Sequence, residues 1–466
     1  MTLASFSAFL LLFLAIGLSS AARSRRSAED YLIAGKSVSP LLVGLSAIAT
    51  NNSGFMFIGM VGYTYAEGLV SLWLMVGWIV GDFAASMMAV RQIQAVSRRR
   101  EICSFGDLLS RWHGQDYRVL RLLAGLLTVL LLCVYAAAQF KAGSKATGSL
   151  LGWAPETGIW ISVVIVLLYS FFGGIRASIW TDVAQSVVMV LGMSVLFYAG
   201  LQATGGVDAV IVRLEAVAPG YMSLMPQRSG VGIWLFIAGW LFGGLSVIGQ
   251  PHIVIRFMSL DSQAHVTQMR VYYYSWFLLF YGLTIAVGLL SRLVIPPSAG
   301  FDAEVALPVM AQTLLSPWFV GLVLAAMFAA TMSTADSLIL ACSSALSRDL
   351  FPSGGWTLPA VKAGTVLVLA SALAIALGGS QTVFSLVLDA WGLLASAFVP
   401  LVLVQAAGRR PSEAVAVLTV IAGILVFVVW QRLGLDSVTY AAAPGIVTGL
   451  IIYAVFAPRD DSLRDC

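Results

Sequence analysis

The chain has 466 residues, of which 59% are hydrophobic and only 10% charged, with a mean hydropathy of +0.93. A soluble domain carries roughly 25% charged residues, so this composition excludes one and implies a polytopic membrane protein. The net charge of +4 is no nucleic-acid signal, because the basic residues sit in short runs between apolar segments, and Cys103, Cys133, Cys342 and Cys466 show neither paired nor metal-ligand spacing.

Thirteen stretches are predicted to cross a bilayer as helices, near 2–22, 39–61, 69–90, 120–144, 157–173, 180–203, 231–250, 272–295, 317–340, 360–379, 384–406, 414–431 and 439–457. Each is close to the ~20 residues a crossing needs. No Lys or Arg precedes the first, whereas Arg23, Arg25 and Arg26 follow it, which predicts an uncleaved helix with its N-terminus outside. Threading onward puts most of the 26 Lys and Arg residues on the cytoplasmic side, including Arg98, Arg99, Arg100, Arg256, Arg409 and Arg410, and the C-terminus with them. His113, His252 and His265 all fall in predicted cytoplasmic loops, which argues against a histidine proton relay. The longest connections, 91–119 and 204–230, and the tail 458–466 are too short for a separate folded module. With no GxxxxGK[ST] motif either, energy is expected from a gradient and not from a nucleotide.

Residues 328–337 read FAATMSTADS inside one of these apolar stretches. On a helix Ala330, Ser333, Thr334 and Ser337 fall at i, i+3, i+4 and i+7, so three hydroxyls share a stripe with Asp336 beside them. Such groups are costly in lipid and mark a candidate site, and hard oxygen donors suit a small hard cation. Back-bonding to the preceding turn accounts for a lone serine but poorly for a cluster that includes an acid.

Two stretches read as interrupted helices. Residues 46–59, SAIATNNSGFMFIG, place Thr50, Asn51, Asn52 and Ser53 before Gly54, and five spans later 239–251, GWLFGGLSVIGQP, holds Gly243, Gly244, Gly249 and Pro251. A matched pair of interruptions is the sequence pointer to an inverted-repeat secondary transporter with its site at the membrane midplane. Helix packing explains Gly243 and Gly244 well but Asn51 and Asn52 poorly. The expected fold is an all-α membrane protein of about thirteen transmembrane helices in a five-plus-five inverted repeat, with the first and sixth core helices discontinuous. Its expected parts are an extra helix and loop (1–38), a first repeat (39–203), an extracellular loop (204–230), a second repeat (231–406), and two final helices with a short tail (407–466).

GQPHIVIRFM (249–258), MSTADS (332–337), SSALSRDL (343–350), FFGGIRASIWTD (171–182) and YAAAQFKAG (135–143) stand in the order and spacing of the sodium:solute symporters, which the chain resembles along nearly its whole length. The sodium/proline branch is most similar. The resemblance implies the leucine-transporter-like fold and solute uptake coupled to sodium entry. It implies a sodium site formed by the carbonyls of Ala49, Asn52 and Ala330 with the side chains of Ser333 and Thr334. Asp182 matches an acidic position of the family, and with Asp336 and Ser337 it forms a candidate second cation or proton site, since two close carboxylates need a cation or shared proton between them. Tyr135 and Pro251 match substrate positions of the proline branch. Asn51 stands where that branch has Asp, and Gly243 and Val247 replace two of its aromatic residues. Asn51, Ser53, Gly54, Tyr135, Gln139, Trp240, Gly243 and Pro251 are the candidate solute contacts, with Trp240 offered as a substitute for the missing rings.

Lys141 is expected to snorkel towards the outer interface, and Asp82 to bond neighbouring helix ends or to be protonated. Broken-helix N-termini favour an anionic group, so the expected solute is a small amino acid such as proline, or another small carboxylate, in preference to a sugar. The chain is thus expected to be a multi-pass protein of a bacterial plasma membrane, with sodium and a small solute as partners, no further cofactor and no enzymatic activity. The alternatives are a proton-coupled or uncoupled transporter using Asp182 and Asp336, and a transport-like sensor, for which 458–466 leaves little room as an output segment. An intramembrane enzyme is weaker still, because no His stands placed with Ser or Cys for nucleophilic catalysis.

Overall fold

The computed structural model describes residues 1–21, 27–225, 231–352, 356–378 and 383–456, so Arg23, Arg25, Arg26 and the 458–466 tail lie outside it. Ten helical runs among these residues are long and apolar enough to cross a membrane, and Pro40–Asn51 and Ala442–Phe456 are shorter apolar helices. Apart from an isolated bridge between Val38 and Leu260, the described chain has no strand pairing.

Two runs hold more than one crossing. Pro155–Ala203 has 49 residues, roughly 73 Å at 1.5 Å per residue against a hydrocarbon core of about 30 Å. It bends at Gly174, whose φ of 57° and ψ of −147° suit glycine, and where a side chain would meet the carbonyl of Tyr31. Met56–Arg99, with 44 residues, joins the second part of the first interrupted helix to the next crossing. Counted this way, the helices supply all the crossings expected from sequence. Pro40, Pro155, Pro251 and Pro317 stand in the first turns of their helices, where a missing N–H costs nothing.

The two interruptions fall where the sequence places them. Pro40–Asn51 stops at Asn52, whose φ of −95° and ψ of 74° leave the helical region, and the chain re-enters through a π-helical turn, Met56–Met60, into Val61–Glu67. Val231–Leu245 tightens into a 3-10 turn at Ser246–Gly249, passes an extended Gln250, and resumes as Pro251–Ser259. That second half is buried throughout, including Arg256 at 1% exposure. His252 and Arg256 therefore lie within a packed half-helix, a correction to their placement in a cytoplasmic loop.

The hydroxyl-bearing helix Pro317–Ser344 is the centre of the bundle. The most apolar window of its run is 83% buried, against 22% for the first helix, because it packs between Pro155–Ala203 and Arg118–Leu151. Val231–Leu245 lies against Leu72–Ala85 with no room for side chains: a Cβ on Gly244 would strike the carbonyl of Trp78, and one on Gly81 that of Leu241.

Candidate cation and solute site

The first interruption lies against the central helix, and oxygen atoms meet there. Ser333 Oγ donates to the carbonyls of Ala49 (3.3 Å) and Ala330 (3.1 Å), and Thr334 Oγ1 donates to that of Thr50 (3.0 Å). Thr50, which sequence reasoning did not nominate, returns a bond to the carbonyl of Ser333 (3.3 Å) and sits 3.0 Å from Ser337 Oγ. All these residues are buried. A hydroxyl that now donates to a carbonyl has lone pairs to turn towards a cation, so the cluster fits a small hard ion without new side chains. Asn52 is at the break itself, where its backbone N–H and its side-chain Nδ2 both donate to the carbonyl of Ile48 (2.9 Å each).

Gly54 brings the backbone close to its neighbours: an added Cβ would lie 2.6 Å from Thr331 Cγ2 and 3.1 Å from Gln139 Oε1. Gln139 is fully buried, and its Oε1 accepts from the Gly54 N–H at 3.0 Å, so it holds the break.

Beneath the cluster lies the second group of polar residues. Asp182 Oδ2 accepts from Ser46 Oγ (2.6 Å) and from Arg256 Nη2 (3.1 Å). The same guanidinium reaches Ser46 (2.9 Å), Ser178 (2.7 Å), the carbonyl of His252 (2.8 Å) and Ser337. Ser337 also donates to Asp336 Oδ1 at 3.0 Å. Where sequence reasoning expects a cation or shared proton beside Asp182, Asp336 and Ser337, the structure thus places an arginine. Asp182 Oδ1 and Asp336 Oδ2 have no hydrogen-bond partner among the described residues.

Asn51 turns its amide away from the hydroxyl stripe, to Asp82 Oδ2 (3.0 Å) and Tyr273 Oη (2.6 Å). Tyr273 and Tyr274 donate to the two oxygens of Asp82 at 2.8 and 2.7 Å. Asp82 is therefore held by three side chains and not by helix ends.

A small, nearly closed cavity of about 10 Å³ lies beside the first break. Asn51, Ser53 and Tyr135 line it, and Trp78, Tyr281 and Trp391 join them. Gly54, Gln139, Trp240, Gly243 and Pro251 are not in its lining. Trp240 instead stacks on Tyr440, with centroids 5.6 Å apart and planes at 20°. Gly243 acts indirectly: Trp78 lies where its side chain would be, 3.1 Å from an added Cβ, and its carbonyl accepts from Trp391 Nε1 at 3.4 Å. Trp78 and Trp391 reach the cavity from Leu72–Ala85 and Val383–Ala406. Pro251 opens the half-helix on which His252 packs edge-on against Tyr135 and Trp391. Lys141 lines a different, more open pocket with Lys145 and Glu156.

Residues 31–423 match the model of the sodium:solute symporter family. The chain belongs to the sodium:solute symporter family. It is 28% identical over 449 residues to the sodium/proline symporter of Escherichia coli, covering 93% of this chain and 88% of that one. It is 28% identical to the high-affinity proline transporter of Bacillus subtilis (91% and 90% covered) and 30% identical to a sodium/proline symporter of Staphylococcus aureus (91% and 84%). These relatives are transporters and not enzymes. Among solved structures, an outward-open, substrate-bound sodium-coupled sialic acid symporter superposes with a TM-score of 0.79 at 19% identity, covering 98% of both chains. The transporter MhsT in complex with L-phenylalanine gives 0.60 at 15% identity, covering 89% of this chain and 99% of its own. The fold is thus the leucine-transporter-like arrangement, in a multi-pass membrane protein that uses sodium as its coupling ion.

Proposed function

We propose that this symporter carries a small amino acid, proline or another compact carboxylate, into the cell together with sodium. The observation that carries the reading is the meeting of Ser333 and Thr334 with the carbonyls of Ala49 and Thr50 across the first break. In the reading, sodium is held by the carbonyls of Ala49, Asn52 and Ala330 and the hydroxyls of Ser333 and Thr334. Ion binding replaces hydroxyl-to-carbonyl bonds by ion-to-oxygen contacts and pins the broken helix to the central one, which shapes the adjoining cavity for the solute. Coupling is then reciprocal, each ligand raising the affinity for the other. Entry of one sodium ion yields about 2.3 kcal/mol per 100 mV.

The names of the curated relatives and the character of the cavity support an amino acid. Trp78, Tyr135, Tyr281 and Trp391 offer ring faces and edges to an apolar body or an ammonium group, while the half-helix beginning at Pro251 presents its N-terminal dipole to a carboxylate. A second cation or a proton at Asp182, Asp336 and Ser337 stays part of the proposal, sharing that place with Arg256. So do the repeat boundaries 39–203 and 231–406, the plasma membrane, and the outside N-terminus.

Proteoliposomes loaded against a panel of labelled amino acids, carboxylates and sugars, under an imposed sodium or proton gradient, test the reading. Sodium-driven uptake of an amino acid is expected. Uptake of sugars alone, or uptake driven by protons alone, contradicts it.

A further inference from the structure

On the outer surface of the bundle, a groove of about 640 Å³ runs between two helical runs, Met56–Arg99 and Gln263–Val294. The runs are antiparallel there: Phe83 packs edge-on against Tyr274, with centroids 5.2 Å apart, and eight residues further on Arg91 Nη2 donates to Thr267 Oγ1 at 3.4 Å. Most of the lining is apolar and outward-facing, with Phe83, Met87, Val271 and Leu278 at 48%, 53%, 59% and 54% exposure. At one end it turns basic. Arg91 and Arg270 both line the groove and no acidic residue does. Neither arginine is paired with a carboxylate among the described residues. Arg270 is fixed by Ser86, which opens the π-helical turn Ser86–Val90: its Nε donates to the Ser86 hydroxyl at 2.9 Å and its Nη2 to the Ser86 carbonyl. The groove is thus a hydrocarbon-facing slot that ends in two cations without a counter-ion.

We propose that this groove is a binding site for an anionic phospholipid, with the headgroup phosphate against Arg91 and Arg270 and an acyl chain along Phe83, Met87, Val271 and Leu278. Guanidinium groups match phosphate oxygens in geometry and bind them through charge-assisted hydrogen bonds. Thr267, at the same end of the groove, is in the first turn of Val266–Val294, so the positive end of that helix dipole adds to the attraction. The dimensions agree with a lipid. Leu278 lies about two turns from Arg270, roughly 12 Å along the helix at 1.5 Å per residue, which is room for the upper part of an acyl chain below the headgroup. With Arg98, Arg99 and Arg100 in the cytoplasm, as the charge distribution predicts, the basic end faces the cytoplasmic leaflet. That leaflet carries the anionic lipids, and basic pockets between helices on that side suit their headgroups.

The test is native mass spectrometry of the full chain in detergent, with phosphatidylglycerol and phosphatidylcholine of the same acyl chains added in equal amounts. The wild type is expected to retain one phosphatidylglycerol under conditions that strip phosphatidylcholine. Arg91→Gln should lower that retention about fivefold, the worth of one arginine at an anionic lipid surface. Val271→Trp, which fills the groove without changing charge, should lower it at least as much. Both side chains are exposed, so the fold is kept. Tyr274 is left unchanged because its hydroxyl holds Asp82. Arg99→Gln, which removes a charge from the same run outside the groove, should leave retention near the wild-type level. Equal retention of the two lipids overturns the proposal. So does an equal loss in Arg99→Gln, which marks general attraction to a basic surface, or full retention by both Arg91→Gln and Val271→Trp. A lipid-free dimer that Val271→Trp dissociates also overturns it and gives the groove to a second copy of the chain.

Discussion

Ser333 Oγ donates to the backbone oxygen of Ala49 across 3.3 Å, although the two residues are 284 apart in sequence. The bond joins the point where one helix is interrupted to the central helix Pro317–Ser344. A shift of the Pro40–Asn51 half against the central helix would break this bond and that of Thr334 to the Thr50 carbonyl.

Thr50 ties the cluster to the polar group beneath it, through the carbonyl of Ser333 and the hydroxyl of Ser337. Thr50→Val keeps the shape but removes both bonds. It is expected to raise the sodium concentration for half-maximal uptake about tenfold, of order 1.4 kcal/mol, with little change in protein yield. A sodium titration of solute uptake measures this, and an unchanged midpoint removes Thr50 from the site.

Asp182 and Arg256 are 0% and 1% exposed and 3.1 Å apart. Removing one partner of such a pair leaves a buried charge alone, at a cost of about 3–5 kcal/mol. Asp182→Asn and Arg256→Gln should each lower the thermal unfolding midpoint in detergent by several degrees. The double variant should recover part of the loss, and strictly additive losses would show that the pair is not coupled.

Gly81 and Gly244 let two helices touch backbone to backbone, since a Cβ on either would strike a carbonyl of the other helix. Gly244→Ala, a change of one methyl group, should destabilise by about 1–3 kcal/mol through overpacking, whereas Gly282→Ala, where nothing lies within 4 Å, should be nearly neutral. Thermal midpoints of the two variants compare the positions directly.

Lys145 pairs with Asp302 at 2.9 Å and with Glu304, and Glu304 also accepts from the Phe384 N–H at 3.1 Å. These contacts tie three elements at one end of the bundle. Lys145→Ala should loosen that end and speed thiol labelling of Ser53→Cys in the cavity several-fold, in a background with Cys103, Cys133, Cys342 and Cys466 replaced by serine. Equal labelling rates would show that the contacts do not restrain access.

The oxygen cluster was legible in sequence because its signals are local: hydroxyls at helical spacing in an apolar segment, and Asn51, Asn52 and Ser53 where a membrane helix should be apolar. The aromatic chamber was not. Trp78, Tyr281 and Trp391 come from three separate helices, and one aromatic residue among several in each reads like any packing residue. Hydropathy penalises polar and charged groups residue by residue, and so puts His252 and Arg256 in a loop. In the fold the Arg256 charge is met by Asp182, Ser46, Ser178 and Ser337, which come from other parts of the chain. Gly243 shows the same limit, since its role is to admit a ring from elsewhere.

The most direct test of the account is the sodium dependence of solute uptake in proteoliposomes by wild type and by the variant carrying Ser333→Ala with Thr334→Ala. The account predicts that an inward sodium gradient drives accumulation by the wild type, and that the double variant loses this drive while remaining folded. Equal sodium-driven accumulation by both proteins would contradict it and move the coupling site away from the first break.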